Sequence, residues 1–321
     1  MKPKVYIHRI GPSYRDYMTD DNEEMLESFA AVINDGPVIE KIDREELVRK
    51  LGESNCLLSL NGNGATDITE DVLLEAGTIE VAVISHYYHV LHDRAIRGWE
   101  SAGLEVIDAS DGNNRAVAEW TLGAAITGMY RFLEYDRAMK SGVFWPDSSG
   151  ADQLEGKTVG IVGLGRVGRI VASYLGVFDL ELIGYDAYLS DEEIRDMGVE
   201  PVDLMDLMGR SDIISFHLPV TEETRGLIDA KHLEAVKDGA LIINSARAAI
   251  LDGRAFREEL ARDRFRAVLD VYEPEPPPLD DPLRGLENVV MTPHIAGNTR
   301  QMRHDCGKIA VSAIREYFQA R

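Results

Sequence analysis

The chain has 321 residues, more than one hydrophobic core commonly organises, so two domains are expected. Its 45% hydrophobic and 28% charged residues describe a globular protein, and a formal charge of -22 excludes nucleic acids and anionic membrane surfaces as partners. The same field repels a small anionic substrate, so a pocket for one must carry its own cation.

In chain order, short apolar runs at 5–7, 56–60, 80–84 and 104–107 predict strands, and amphipathic stretches at 22–32, 45–51, 70–76 and 93–102 predict helices between them. That alternation implies a parallel sheet covered on both faces. A helical pattern follows from Asn114 to about Lys140, capped by Asn113 or Asn114 and uninterrupted by proline, and it reads as a connector between domains. The alternation restarts with strands at 158–162, 180–185, 213–217, 240–244, 267–271 and 289–291, six in all, which suits a doubly wound sheet. The prolines between Glu273 and Pro282 stiffen a loop over the carboxyl edge of that sheet. A final amphipathic helix, 301–320, places Ile309, Ala313, Ile314 and Phe318 on one face and is expected to return to the first domain.

Cys56 and Cys306 are too few and too far apart for a disulfide framework or a zinc site, the N-terminus lacks the apolar core of a secretory signal, and no segment reaches membrane-spanning length. A cytoplasmic protein is therefore expected. His86, His89 and His92 invite a metal reading, but no cysteine or carboxylate stands at ligand spacing, so no metal is expected.

The strand at 158–162 runs directly into Gly163-Leu164-Gly165-Arg166-Val167-Gly168 and then a helix. In that context the three glycines serve a tight turn, a close backbone approach to a pyrophosphate and close helix packing, with the helix N-terminus facing the phosphates. Asp186 closes the next strand eighteen residues after Gly168, where a carboxylate binds ribose hydroxyls and repels a 2'-phosphate, so NAD is the expected cofactor.

Three further segments stand at strand ends: Ser245-Ala246-Arg247, Asp270 to Pro276, and Thr292 to Gly297. They offer a guanidinium to clamp a carboxylate, an imidazole to move a proton, and a glutamate to hold the imidazolium, which is what interconversion of a 2-hydroxy and a 2-keto acid requires. With Val117-Ala118-Glu119, Phe216-His217-Leu218-Pro219, Thr221 and Thr224, they make the chain resemble the D-isomer-specific 2-hydroxyacid dehydrogenase family over nearly its whole length. That family includes phosphoglycerate dehydrogenases and glyoxylate/hydroxypyruvate reductases.

The resemblance implies two Rossmann-like doubly wound α/β domains: a flavodoxin-like substrate-binding domain, 1–112 plus 298–321, and an NAD-binding domain, 113–297, closing on a cleft. It implies that Arg247, Glu275 and His294 are catalytic, and it selects Glu275 over Glu273 because the partner glutamate stands five residues after Asp270. It adds His217, Leu218, Pro219, Thr224, Ser245, Ala246, Asp270 and Gly297 to the glycine loop and Asp186 as the cofactor site, with Asp270 near the nicotinamide carboxamide. Asn63, Gly64 and Ala65 stand where the family's first-domain loop holds the substrate carboxylate. A homodimer formed through the connector helix is also implied. Ala248 replaces the glycine common after the arginine, and the 85–92 stretch departs from the family's glycine-rich turn. The chain ends at Arg321, before the serine-sensing domain of long members, so control by that route is not expected. The rival expectation is an NAD-sensing, corepressor-like interaction protein with the same fold and little catalysis.

Overall fold

The computed structural model describes residues 2–9, 11–34, 36, 40–60, 62, 64–85, 89–145 and 150–321, excepting the side chains of 12 and 89–94. The chain divides into two compact units, Met1–Asn113 with Asn298–Arg321, and Asn114–Gly297.

Among the described residues, the first unit holds a five-stranded sheet: β1 (Lys4–Ile7), β2 (Ala31–Asn34), β3 (Cys56–Ser59), β4 (Val81–Ile84) and β5 (Glu105–Asp108). All pairings are parallel, in the order β2-β1-β3-β4-β5, the doubly wound order of flavodoxin-like sheets. β2 departs from the sequence expectation. The helix predicted over 22–32 ends at Phe29, and Ala31 and Val32 pair with Lys4 and Val5. The apolar run Ala31-Val32-Ile33 of this half-exposed edge strand follows the helix with no glycine or proline between them, so in the sequence it merges with the helical pattern. The core of this unit gathers Tyr6, Leu57, Ala82, Ile84 and Trp99, whose indole N–H donates to Ile68 O at 2.8 Å.

The C-terminal helix, Arg300–Gln319, belongs to this unit. Asn22 Nδ2 donates to Tyr17 O at 2.7 Å and to His304 O at 3.2 Å, and a Cβ on Gly307 would stand 2.0 Å from Tyr17 O. That close approach sets the helix rotation. The buried face is Cys306, Ala310, Val311, Ile314 and Tyr317, and the expected Ile309, Ala313 and Phe318 lie only partly buried at its margin.

The second unit opens with helices Asn113–Met129 and Phe132–Lys140 in place of the single helix predicted to Lys140. Arg131, in the left-handed region at φ 54°, breaks the run. Its seven described strands are β6 (Thr158–Val162), β7 (Glu181–Tyr185), β8 (Glu200–Pro201), β9 (Ile213–Phe216), β10 (Leu241–Asn244), β11 (Arg266–Leu269) and β12 (Val289–Met291), in the order β12-β11-β10-β9-β6-β7-β8. The two-residue β8 is too short to leave a periodic signal and was not among the six strands expected. Side chains alternate between two cores: Val159, Ile161, Leu241, Ile243 and Val268 on one face, Val162, Phe216, Ile242, Ala267 and Leu269 on the other. Strand order reverses between β6 and β9, which opens a crevice at their carboxyl ends. Among the described residues, no helix is long and apolar enough to cross a membrane.

Candidate active site

The turn after β6 shows why its three glycines are needed, and the reasons differ. Gly163 has φ 93° and a Cβ there would meet His217 O at 2.9 Å; a Cβ on Gly168 would stand 2.0 Å from Gly163 O. Those two answer to the protein's own packing. Gly165 faces open space, with nothing within 4 Å of the corresponding Cβ, at the N-terminus of helix Arg166–Leu175. A bare backbone facing an empty approach at a helix N-terminus fits a pyrophosphate. Asp186 lies beside this turn: Oδ2 accepts from Leu164 N at 2.8 Å, and Oδ1 from Tyr188 N at 2.9 Å and Leu189 N at 3.3 Å. The carboxylate thus shapes the glycine loop and fixes its own position.

On the other side of the reversal, the end of β9 carries His217, whose N–H donates to Val162 O at 2.8 Å and whose Nε2 is 2.9 Å from the Ser215 hydroxyl. Burial lowers this imidazole to about 4, so it is neutral at ordinary pH. Leu218 packs within 2.8 Å of where a Gly163 Cβ would be. The Thr224 hydroxyl donates to Pro219 O at 2.6 Å and accepts from Thr221 N at 2.8 Å, closing the turn beyond the strand. Ser245 Oγ is 3.2 Å from Thr121 Oγ1.

β10, β11 and β12 are neighbours, so the loops carrying Arg247, Asp270 and His294 leave one edge side by side, spanning about 10 Å at the usual strand spacing. Arg247 is half-buried, its Nη1 donating to Ala246 O at 2.6 Å. His294, at φ 54°, turns Nδ1 to Glu275 Oε2 at 2.9 Å, with about a quarter of each side chain exposed. Glu273, the competitor in sequence, pairs with Arg225 at 3.1 Å in a solvated position. Asp270 is 0% exposed. Its carboxylate accepts from the Thr292 hydroxyl and the N–H groups of Ile295 and Ala296, which ties it to the loop around His294.

Sequence reasoning passed over Asn244, Tyr272 and Thr292, which brace these loops. Tyr272 donates to Leu269 O at 3.0 Å and Thr292 O at 2.7 Å. The available signal was a polar residue closing an otherwise apolar strand, as Asn244 closes Leu241–Asn244.

In the first unit, Asn63 lies outside the described residues, as do Asn61, His86, Tyr87 and Tyr88 and the side chains of His89 and His92. Gly64 has φ 79°, and a Cβ there would press on the His8 ring at 2.7 Å. Ala65 does not suit the anion-holding expectation: its methyl is buried and its N–H already donates to Gly62 O at 3.1 Å. Among the described residues, no three His, Cys, Asp or Glu side chains are placed to hold a metal ion.

Comparison with known proteins agrees with this architecture. Residues 122–296 match the model of the D-isomer specific 2-hydroxyacid dehydrogenase, NAD binding domain. The chain is 33% identical to the glyoxylate reductase of Thermofilum pendens over 315 residues, 96% of this chain and 89% of that one. It is 33% identical to the D-3-phosphoglycerate dehydrogenase of Archaeoglobus fulgidus over 274 residues, 85% of this chain but 51% of that one, so it spans about half the length of such relatives. The apo D-mandelate dehydrogenase of Rhodotorula graminis shares the fold, with a TM-score of 0.83 at 22% identity, covering 99% of this chain and 94% of that one.

Proposed function

Because this chain belongs to the D-isomer specific 2-hydroxyacid dehydrogenase family, we propose that it interconverts a small 2-hydroxy acid and its 2-keto acid, with NAD as the hydride partner. The observation that carries the reading is the 2.9 Å contact between His294 and Glu275 on the same sheet edge as Arg247 and the glycine loop. In this reading, Gly163, Gly165, Arg166, Val167 and Gly168 hold the pyrophosphate and Asp186 the ribose hydroxyls, while His217, Leu218, Pro219, Thr224, Ser245, Ala246 and Gly297 line the crevice. The bound nicotinamide supplies or accepts the hydride. Arg247 grips the substrate carboxylate through parallel N–H bonds and polarises the adjacent carbonyl. With Nδ1 turned to Glu275, His294 passes its proton at Nε2: to the carbonyl oxygen in reduction, from the hydroxyl in oxidation. Glu275 fixes the ring orientation and balances the imidazolium charge.

Exposed apolar side chains on and after helix Phe132–Lys140, among them Phe132, Leu133, Met139 and the 86% exposed Trp145, support a homodimer through that surface. The two free, buried cysteines suit a cytoplasmic setting.

The test is a panel of glyoxylate, hydroxypyruvate, pyruvate and longer 2-keto acids with NADH and NADPH, run on the native protein and on His294→Ala. Turnover of at least one acid with NADH, cut by about 10²-fold or more in the variant while NADH still binds, is expected. Equal turnover in both proteins removes His294 from the chemistry, and inertness toward every acid overturns the reading.

A further inference from the structure

The amino edge of the second unit's sheet, opposite the edge that carries His294, holds a cavity of about 490 Å³. Its wall forms where the chain enters β6, β9, β10, β11 and β12, at Lys157, Asp212, Gly239, Arg266 and Asn288, and at the turn of Arg131. A four-residue strand sets the two edges about 13 Å apart, so this cavity is separate from the catalytic crevice.

The lining cations Lys157, Lys237 and Arg264 pair with Asp152, Asp212 and Asp238, each at 2.9 Å. Glu134 is committed to Arg131. Arg266 has no such partner. Half-buried on the first residue of β11, it donates to Gly128 O at 2.6 Å, to Gly239 O at 3.5 Å and toward Met129 Sδ at 3.8 Å, and among the described residues no carboxylate pairs with it. Burial, and after it the Arg131 cation, lower this guanidinium from its ordinary value, so its charge is held where the surroundings disfavour it. Tyr135, close enough to act on both guanidiniums, has a buried hydroxyl with no hydrogen-bond partner among the described residues.

A guanidinium without an acid, beside a second guanidinium and an unpaired hydroxyl, is a place where an added acceptor relieves both desolvation and like-charge repulsion. The fold also gives up something to keep Arg131 there. Its backbone is left-handed at φ 54°, where glycine is the ordinary choice, and a Cβ on Gly150 would strike Arg131 Nη1. The planar fork of an arginine matches a carboxylate. Asp263 and Glu287, exposed on the same wall, repel an anion of higher charge, and the polar wall suits hydroxyl groups on the rest of the ligand.

We propose that this cavity is a second binding site, for a small hydroxylated monocarboxylate whose carboxylate is held by Arg266 with Arg131 beside it. It goes beyond the reaction proposed above and does not rest on it.

The test is calorimetric titration with gluconate of the Arg247→Gln protein, in which the catalytic edge has lost its arginine. Gluconate binds at one site per chain, and the Arg266 Nε–H resonance, identified as the one missing in Arg266→Lys, shifts with the same Kd. Adding Arg266→Lys keeps the charge but loses the fork, and weakens binding about tenfold or more. Adding Gly150→Ala displaces only the end of the Arg131 side chain, leaves the bonds of Arg266 in place, and weakens binding about threefold or more while the urea midpoint stays that of its parent. Glycolate, with one hydroxyl, binds more weakly than gluconate. No binding up to about 10 mM gluconate, affinity unchanged by both substitutions, glycolate binding as tightly as gluconate, or inorganic phosphate binding in its place overturns the proposal. Inertness of the native protein toward every keto acid would defeat the proposed reaction and leave this titration as it is.

Discussion

Asp67 in the first unit and Asp270 in the second are both nearly closed off from water, yet they are held in opposite ways. Asp67, with 9% of its side chain exposed, is gripped by Arg9 Nε at 3.1 Å and Nη2 at 2.6 Å and by Lys41 Nζ at 3.2 Å. Asp270 is met by a hydroxyl and two backbone N–H groups. A carboxylate answered by flexible cations ties side chains together, whereas one answered by main-chain dipoles fixes the path of a loop. The second arrangement suits an edge where a histidine must be held to a fraction of an ångström.

The sharpest break between the two units comes from glycines that leave no room. Gly168→Ala and Gly307→Ala each drive a Cβ to 2.0 Å from a backbone carbonyl, at an expected cost of about 2–3 kcal/mol in urea unfolding. Only Gly168→Ala should also abolish NADH binding. Gly165→Ala, with nothing within 4 Å, should unfold like the native protein yet lose most of its NADH affinity by fluorescence titration. An unfolding midpoint for Gly165→Ala as low as that of Gly168→Ala would refute the division of labour drawn for that turn.

Asp67→Asn should cost about 1–3 kcal/mol at neutral pH, because it leaves two cations facing an amide. Although burial pushes the Asp67 carboxyl up, hydrogen bonds from Arg9 and Lys41 bring it below its usual value. Its contribution is therefore present above about pH 4 and lost as pH falls through the lowered folded value, and the variant should lose that acid limb. In the second unit the loss begins at milder acidity. His217 is held neutral down to about 4, while its unfolded form takes a proton below about 6.5. Stability should decline by up to about 1.4 kcal/mol per pH unit across that window, and His217→Gln should flatten the decline. A native urea midpoint that stays constant from pH 6.5 to 4.5 would contradict this. The smallest effect is expected for Glu273→Gln: its ion pair with Arg225 is more than half exposed on both sides, so stability should change by less than about 0.5 kcal/mol and turnover not at all. A turnover defect as large as that of Glu275→Gln would reverse the assignment of the two glutamates.

Much of this was legible beforehand where a residue's local neighbours settle its role. The glycine turn announced itself because an apolar strand runs straight into it and a helix straight out, and the two buried sheets did so through their apolar runs. β2 and β8 were missed for the converse reason: the apolar run of one follows its helix with no breaking residue and reads as part of it, and the other is two residues long. The break at Arg131 has no proline or glycine at the break itself to announce it; it is stated by the backbone alone. The rotation of the last helix was misjudged because the hydrophobic pattern defines a broad stripe, whereas a single contact, Gly307 on Tyr17, selects the buried line within it.

The amino-acid sequence by itself determined the alternation of strand and helix, the family, the dinucleotide turn, and the set of side chains able to move a proton and hold a carboxylate, since those follow from residue type and short-range spacing. The tertiary structure brought Glu275 to His294, the glutamate the family spacing had selected, and it alone tied Asp270 to the loop around His294 and revealed Asn244 as the support beneath Arg247. The Glu275 and Asp270 pairings join residues 19 to 26 positions apart and depend on strand order, and all of them answer the demand that every buried polar group find a partner, which residue type alone does not encode.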